Sequence, residues 1–240
     1  MIVERWTENE GVRLHYLEDG ADDFAGTPLV FVPGGLGAAE DYLPEFPVFA
    51  PRACLAMSLR GQGRSDAPPR GYAFADFVSD VEAILNASGL HKPCLLAYSM
   101  GAPFAIEVAS RHPDRLGGLI IGDYPARYPQ IPPEWVDSAL LTLGQLASKA
   151  VAEAIQRESA EVELWEQLPA ITCPTLVLRG GQPGALLDAS ASERYRRLLP
   201  DVRVVTFPDS GHALWEPNYE QFVNAVKTFL HDLDAARQAA

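Results

Sequence analysis

The chain has 240 residues, 48% of them hydrophobic and 21% charged, which suits one α/β domain with a large buried core. Its formal net charge of −13, with an isoelectric point near 4.7, argues against a nucleic-acid surface and against attachment to anionic membranes. Apolar stretches are too short to span a bilayer, and Met1-Ile2-Val3-Glu4-Arg5-Trp6 lacks the basic-then-apolar pattern of a signal peptide, so a cytoplasmic protein is expected.

In chain order, residues 3–17 read as two strands around the turn Glu8-Asn9-Glu10-Gly11. Residues 29–32 are a short apolar strand stopped by Pro33-Gly34-Gly35. Alternation follows: a helix over 38–49, a strand over 53–59, a loop over 60–71, a helix over 74–88, a strand over 93–98, a helix over 100–111 and a strand over 116–122. It resumes with a strand over 174–178, a helix over 189–199, a strand over 202–207 and a helix over 217–233. Strands whose apolar residues come in runs are buried on both faces, so the pattern predicts an α/β fold with a mostly parallel, doubly wound sheet. Cys54, Cys94 and Cys173 each sit in or beside such a run, without metal-site spacing, and read as buried reduced thiols.

Residues 124–168 interrupt the alternation. They open on a proline-rich stretch, Tyr124 to Pro133, and continue with helical pattern over 134–147 and 151–168. An insertion between two strands lies over the carboxyl edge of the sheet, where open α/β sheets bind ligands. A small helical lid is therefore expected, with Tyr124, Tyr128 and Trp135, together with Leu36 and Trp215, as apolar walls for a small-molecule substrate.

The chemistry centres on Ala97-Tyr98-Ser99-Met100-Gly101, at the junction of a strand and a helix. A serine at the apex of a sharp strand-to-helix turn is exposed at the sheet rim, and only small neighbours two residues away on either side avoid a clash. Its hydroxyl needs a base. Among five histidines, His212 alone follows a late strand, through Pro208-Asp209-Ser210-Gly211, in a loop that opens at the same edge if strand order follows chain order. Oxyanion donors are expected from the backbone N–H groups of Met100 and of Gly35 in Pro33-Gly34-Gly35-Leu36-Gly37. No metal or organic cofactor is indicated.

Taken together, the serine motif, Pro33-Gly34-Gly35, Leu59-Arg60-Gly61-Gln62-Gly63-Arg64-Ser65 and Ser210-Gly211-His212 occur in an order that resembles the α/β-hydrolase fold superfamily over nearly the whole chain. Ala97 stands where the G-x-S-x-G elbow usually has glycine, and a serine nucleophile separates the chain from the aspartate-using epoxide hydrolase and dehalogenase branches. The resemblance implies an acid shortly after Gly180, yet Gly180-Gly181-Gln182-Pro183-Gly184-Ala185-Leu186-Leu187 offers none. Asp123, at the end of an earlier strand, is favoured over Asp188, which looks like a helix N-cap; a serine–histidine dyad is the third option. The expected activity is cleavage of an ester, lactone or thioester through an acyl-enzyme, with Ser99, His212 and Asp123 as the catalytic residues. Carbon–carbon bond hydrolysis at the same site and a non-catalytic ligand receptor are the alternatives.

Overall fold

The computed structural model describes residues 1–19, 26–143 and 148–239. The chain starts with an antiparallel hairpin, β1 (Ile2–Asn9) and β2 (Val12–Asp19), followed by β3 (Leu29–Val32), α1 (Glu45–Phe49), β4 (Cys54–Met57), α2 (Phe74–Ser88), β5 (Cys94–Tyr98), α3 (Gly101–Arg111) and β6 (Gly118–Gly122). Next come β7 (Arg127–Tyr128), α4 (Glu134–Leu143), α5 (Lys149–Glu158) and β8 (Val162–Glu163). The chain then closes with β9 (Thr175–Gly180), α6 (Ala189–Leu198), β10 (Val202–Phe207) and α7 (Tyr219–Ala239).

Eight described strands form one sheet in the order β1-β2-β4-β3-β5-β6-β9-β10, parallel from β4 through β10. Every residue of β3, β4 and β6 is buried, as runs of apolar residues require when both faces are covered. The pleat divides them between two cores. Val30, Val32, Leu95, Ala97, Leu119 and Ile121 pack under α2 and α3, whereas Leu29, Phe31, Leu96, Ile120, Leu176 and Leu178 pack under α1 and α7. The last three strands do follow chain order, so the loops after β5, β6, β9 and β10 all open along one carboxyl edge.

Two expected helices are corrected. Residues 38–49 form a 3-10 turn (Ala39–Tyr42) and the short α1, because prolines punctuate the segment. Pro44 occupies the N-cap, and Pro47 is tolerated only because it falls in the first turn, where its missing N–H would have no partner. The helix expected over 151–168 is α5 alone. It ends where Ser159 turns extended, its hydroxyl donating to the Gln156 carbonyl and accepting from the Ile131 N–H. Val162 and Glu163 then pair with Tyr128 and Arg127, and Trp165–Ala170 is a 3-10 helix around Pro169. Apolar spacing at three and four residues continued across all three segments and concealed the breaks. Of the helix expected over 134–147, residues 134–143 are helical and 144–147 lie outside the described residues.

The loop after β4 is anchored by a buried ion pair. Asp80 of α2, fully buried, accepts from Arg60 Nε (2.8 Å), a terminal guanidinium nitrogen (2.7 Å) and the Arg60 backbone N–H (3.0 Å), and from Asn9 Nδ2 (2.8 Å). Further along, the Gly71 and Tyr72 N–H groups donate to Glu158 of α5, both at 2.8 Å, tying the loop to the segment between β6 and β9. Asp80→Ala leaves the buried Arg60 with the more distant Asp76, at 3.6 Å, and is expected to cost about 3–5 kcal/mol of stability, read by urea denaturation.

Candidate active site

Ser99 occupies the turn between β5 and α3 with φ +52°. Its N–H donates to the Gly122 carbonyl of β6 (2.9 Å), which extends the sheet ladder by one residue while its side chain leaves the sheet. Such a conformation costs a non-glycine residue about 1–3 kcal/mol and must be held by its surroundings. The small residues of the motif are explained by the same crowding. A Cβ on Gly101 would lie 2.4 Å from the Pro33 carbonyl oxygen, so a side chain there would push α3 away from the glycine loop; the alanine methyl at 97 is buried within the core.

Asp123 stands one strand further along in an equivalent position. It has φ +47°, and its N–H donates to the Leu178 carbonyl of β9 at 2.8 Å. Its carboxylate is fully buried and accepts from the backbone N–H groups of Gly180 (3.1 Å), Leu186 (2.8 Å) and Leu187 (3.3 Å). His212 Nδ1 lies 2.8 Å from Asp123 Oδ2, and His212 Nε2 lies 3.0 Å from Ser99 Oγ. Asp188 takes no part in this constellation: it caps α6, accepting from the Ala191 N–H at 2.7 Å. The stretch after Gly180, which holds no carboxylate, instead curls its amide groups around the one supplied by β6.

His212 is brought in by close backbone contact. A Cβ on Gly180 would sit 2.2 Å from the Gly211 carbonyl oxygen, so the end of β9 and the histidine loop pack at glycine distance. The imidazole also lies against Tyr98, with ring centroids 4.8 Å apart and planes inclined by 26°, and the Tyr98 hydroxyl donates to the His212 carbonyl at 3.0 Å. Burial first, then the nearby Asp123 charge, pushes the Tyr98 phenol above its ordinary range and keeps it a donor.

Ser99 and His212 open into a cavity of about 700 Å³. Its inner wall is Phe31, Leu96 and Leu178, side chains of three strands on the α7 face of the sheet. Trp215, Tyr219 and Phe222 close one side; Trp135, Ser138 and Ala139, on one face of α4, close another. Gly35 and Met100, the expected oxyanion donors, both line it, and a Cβ on Gly35 would meet Met100 Sδ at 2.9 Å. Among the described residues, Asp41 and Glu45 are the acidic ones that line it, and no lysine or arginine does. The Glu45 carboxylate accepts from the Tyr219 hydroxyl at 2.7 Å, and burial with this bond pushes that phenol up to about 12.

Of the five residues expected on the walls, Trp135 and Trp215 are there and three are not. Leu36, at φ +62° in the glycine loop, is buried in the core beneath α2 and α3. Tyr124 is buried, with its carbonyl accepting from the Tyr195 hydroxyl. Tyr128 is fully buried between Phe74 and Phe104, at centroid distances of 5.4 and 5.6 Å. Aromatic content marked the inserted segment but carried no information on which side each ring faces. The walls from β3, β5, β9 and α7 were missed because core and cavity residues share one apolar pattern, and Tyr98 was given no role although it stands beside the serine in the motif.

Comparison with known proteins gives the class. Residues 27–123 match the family model described as the alpha/beta hydrolase fold. The chain has the α/β-hydrolase fold. Among its relatives, an N-formylmaleamate deformylase of Pseudomonas putida is 29% identical, over 92% of this chain and 93% of the relative. A 2-(acetamidomethylene)succinate hydrolase of Mesorhizobium japonicum is 23% identical over 73% of this chain and 77% of its own. The crystal structure of an esterase from Rhodococcus sp. superposes with a TM-score of 0.78 at 24% identity, covering 97% of this chain and 99% of that one.

Tyr128→Ala is expected to remove about 3–5 kcal/mol of stability, as for other large aromatics lost from a core, and to leave selectivity among acyl chain lengths unchanged. Thermal unfolding beside a chain-length series of esters checks both halves.

Proposed function

We propose that the protein is a serine hydrolase that cleaves an ester, lactone or thioester of a small to medium apolar substrate through an acyl-enzyme. The observation that carries this reading is the contact chain from Ser99 Oγ through both nitrogens of His212 to the buried Asp123, opening into an apolar cavity. Ser99 Oγ attacks the acyl carbonyl while His212 Nε2 takes its proton. Asp123 holds the imidazole by its Nδ1–H and stabilises the imidazolium that forms. The Gly35 and Met100 N–H groups receive the developing oxyanion. His212 returns the proton to the leaving oxygen or sulfur. Water, deprotonated by the same nitrogen, then releases the acid. Segment 124–168 serves as a small lid, with α4 contributing Trp135 to the acyl pocket.

Cleavage of an amide-type or carbon–carbon bond at the same serine is the second reading, and relatives named as a deformylase and a 2-(acetamidomethylene)succinate hydrolase favour it. Their substrates, as named, are a maleamate and a succinate. A cavity lined by Asp41 and Glu45, with no lysine or arginine among the described residues, is poorly suited to such anions. The substrate of this chain is therefore uncharged at the end that faces these two carboxylates.

Three experiments test the proposal. In a panel of p-nitrophenyl esters, neutral acyl groups are expected to turn over and a hemisuccinate ester of matched length about tenfold or more slowly; equal rates overturn the charge argument. Ser99→Ala should abolish covalent capture of a fluorophosphonate and lower turnover by at least about 10³-fold, and labelling of another residue instead overturns the assignment. Among the carboxylates, Asp123→Asn is expected to lower kcat by up to about 10⁴-fold with little change in KM. Asp188→Asn, which keeps a capping side chain, should stay near the unsubstituted rate, and the reverse pattern would assign the acid to Asp188.

A further inference from the structure

We infer that Tyr98 is a positioning residue for the base: its ring forms the plate on which the His212 imidazole rests, and its hydroxyl holds the His212 backbone. The inference rests on the reading of His212 as the base. Asp123 and Ser99 each hold one nitrogen of the ring, which fixes two points on its edge and leaves rotation about the line through them free. Tyr98 supplies the remaining constraint by facing the imidazole at 4.8 Å and 26°. The hydroxyl bond to the His212 carbonyl at 3.0 Å restrains the main chain from which the imidazole hangs.

The plate is itself held. Trp215 packs against the Tyr98 ring at 5.1 Å. Gly34 and Gly122 approach it so closely that a Cβ on either would lie 3.4 and 3.2 Å from its ring carbons. A phenol anchored in this way makes the imidazole face an aromatic π surface, which favours the positive charge that His212 carries while Ser99 is being acylated. Serine and tyrosine are neighbours in sequence, yet they reach different sides of one histidine because the left-handed turn at Ser99 redirects the chain between them. The tyrosine thus acts on the reaction through the histidine.

Tyr98→Phe keeps the plate and loses the hydroxyl bond, whereas Tyr98→Leu loses both. With a fluorophosphonate as probe, Y98F is expected to inactivate about five- to tenfold more slowly and Y98L about 100-fold more slowly. In both the loss falls in the maximal inactivation rate, with probe affinity changed less than threefold. An NMR readout is independent of catalysis. The imidazole C–H protons of His212, assigned through His212→Gln, should lie upfield of those of the exposed His231 by ring-current shielding. The shielding should persist in Y98F and vanish in Y98L. Unshielded His212 protons in the unsubstituted protein, a Y98L rate equal to it, or a loss confined to probe affinity each overturn the proposal. If the unsubstituted protein does not react with the probe, the serine hydrolase reading fails, and the shielding comparison still decides whether Tyr98 forms the plate. If Y98L does not fold, the shielding in the unsubstituted protein and the Y98F rate decide it.

Discussion

The site depends on a hydrogen-bond ladder that runs one residue past the ends of the parallel strands. The Ser99 N–H bonds to Gly122 of β6, the Asp123 N–H bonds to Leu178 of β9, and the Gly181 N–H bonds to Phe207 of β10. Each step hands the chain across to the next strand just where it leaves the sheet. Two of the three residues, Ser99 and Asp123, adopt left-handed backbone in doing so. The associated strain, about 1–3 kcal/mol per residue, is borne by a sheet whose central strands are buried on both faces. The positions of the serine and the carboxylate are thus set by backbone, and their side chains need little freedom to meet the imidazole.

That arrangement accounts for the unusual source of the carboxylate. The Gly180 N–H at the end of β9 and the Leu186 and Leu187 N–H groups of the loop that follows surround the Asp123 carboxylate. A carboxylate in that loop would have to share the space with the one already there, and two unpaired negative charges in a buried pocket repel strongly. The amide bonds reach both carboxylate oxygens, and Oδ2, which accepts from Leu186, is also the one that faces His212 Nδ1. The loop and the aspartate form one unit although 57 residues separate Asp123 from Gly180.

Much of this architecture was legible before any coordinates, and the reasons differ by element. The strands were readable because burial on both faces forces uninterrupted apolar runs such as Leu29-Val30-Phe31-Val32. The serine turn was readable because its geometry admits only small neighbours, and His212 because the order of the final strands follows the chain. Asp188 was separable from Asp123 by its capping context, which the Ala191 contact bears out. The inserted segment was the least legible part. Val162 and Trp165 keep helical spacing with Val151 and Ile155, and periodicity is silent on whether the backbone remains helical between them. Burial of Tyr128 likewise accompanies a short strand pair, β7 with β8, that forms between residues distant in sequence.

β6 and β9 are direct neighbours, with Leu119 opposite Thr175 and Gly122 opposite Leu178. Because the two strands are parallel, the segment between them leaves at the carboxyl edge, beside Leu178, and crosses back over the sheet to start β9 at the opposite edge, beside Leu119. Closing a longer excursion costs little, since the entropy of a loop grows only with the logarithm of its length. Exchange of this segment for another of different size would rebuild one wall of the cavity while the walls from β3, β5 and α7 stay in place, and the newcomer would have to replace Tyr128, Val151, Ile155 and Leu164 in the core shared with α2 and α3.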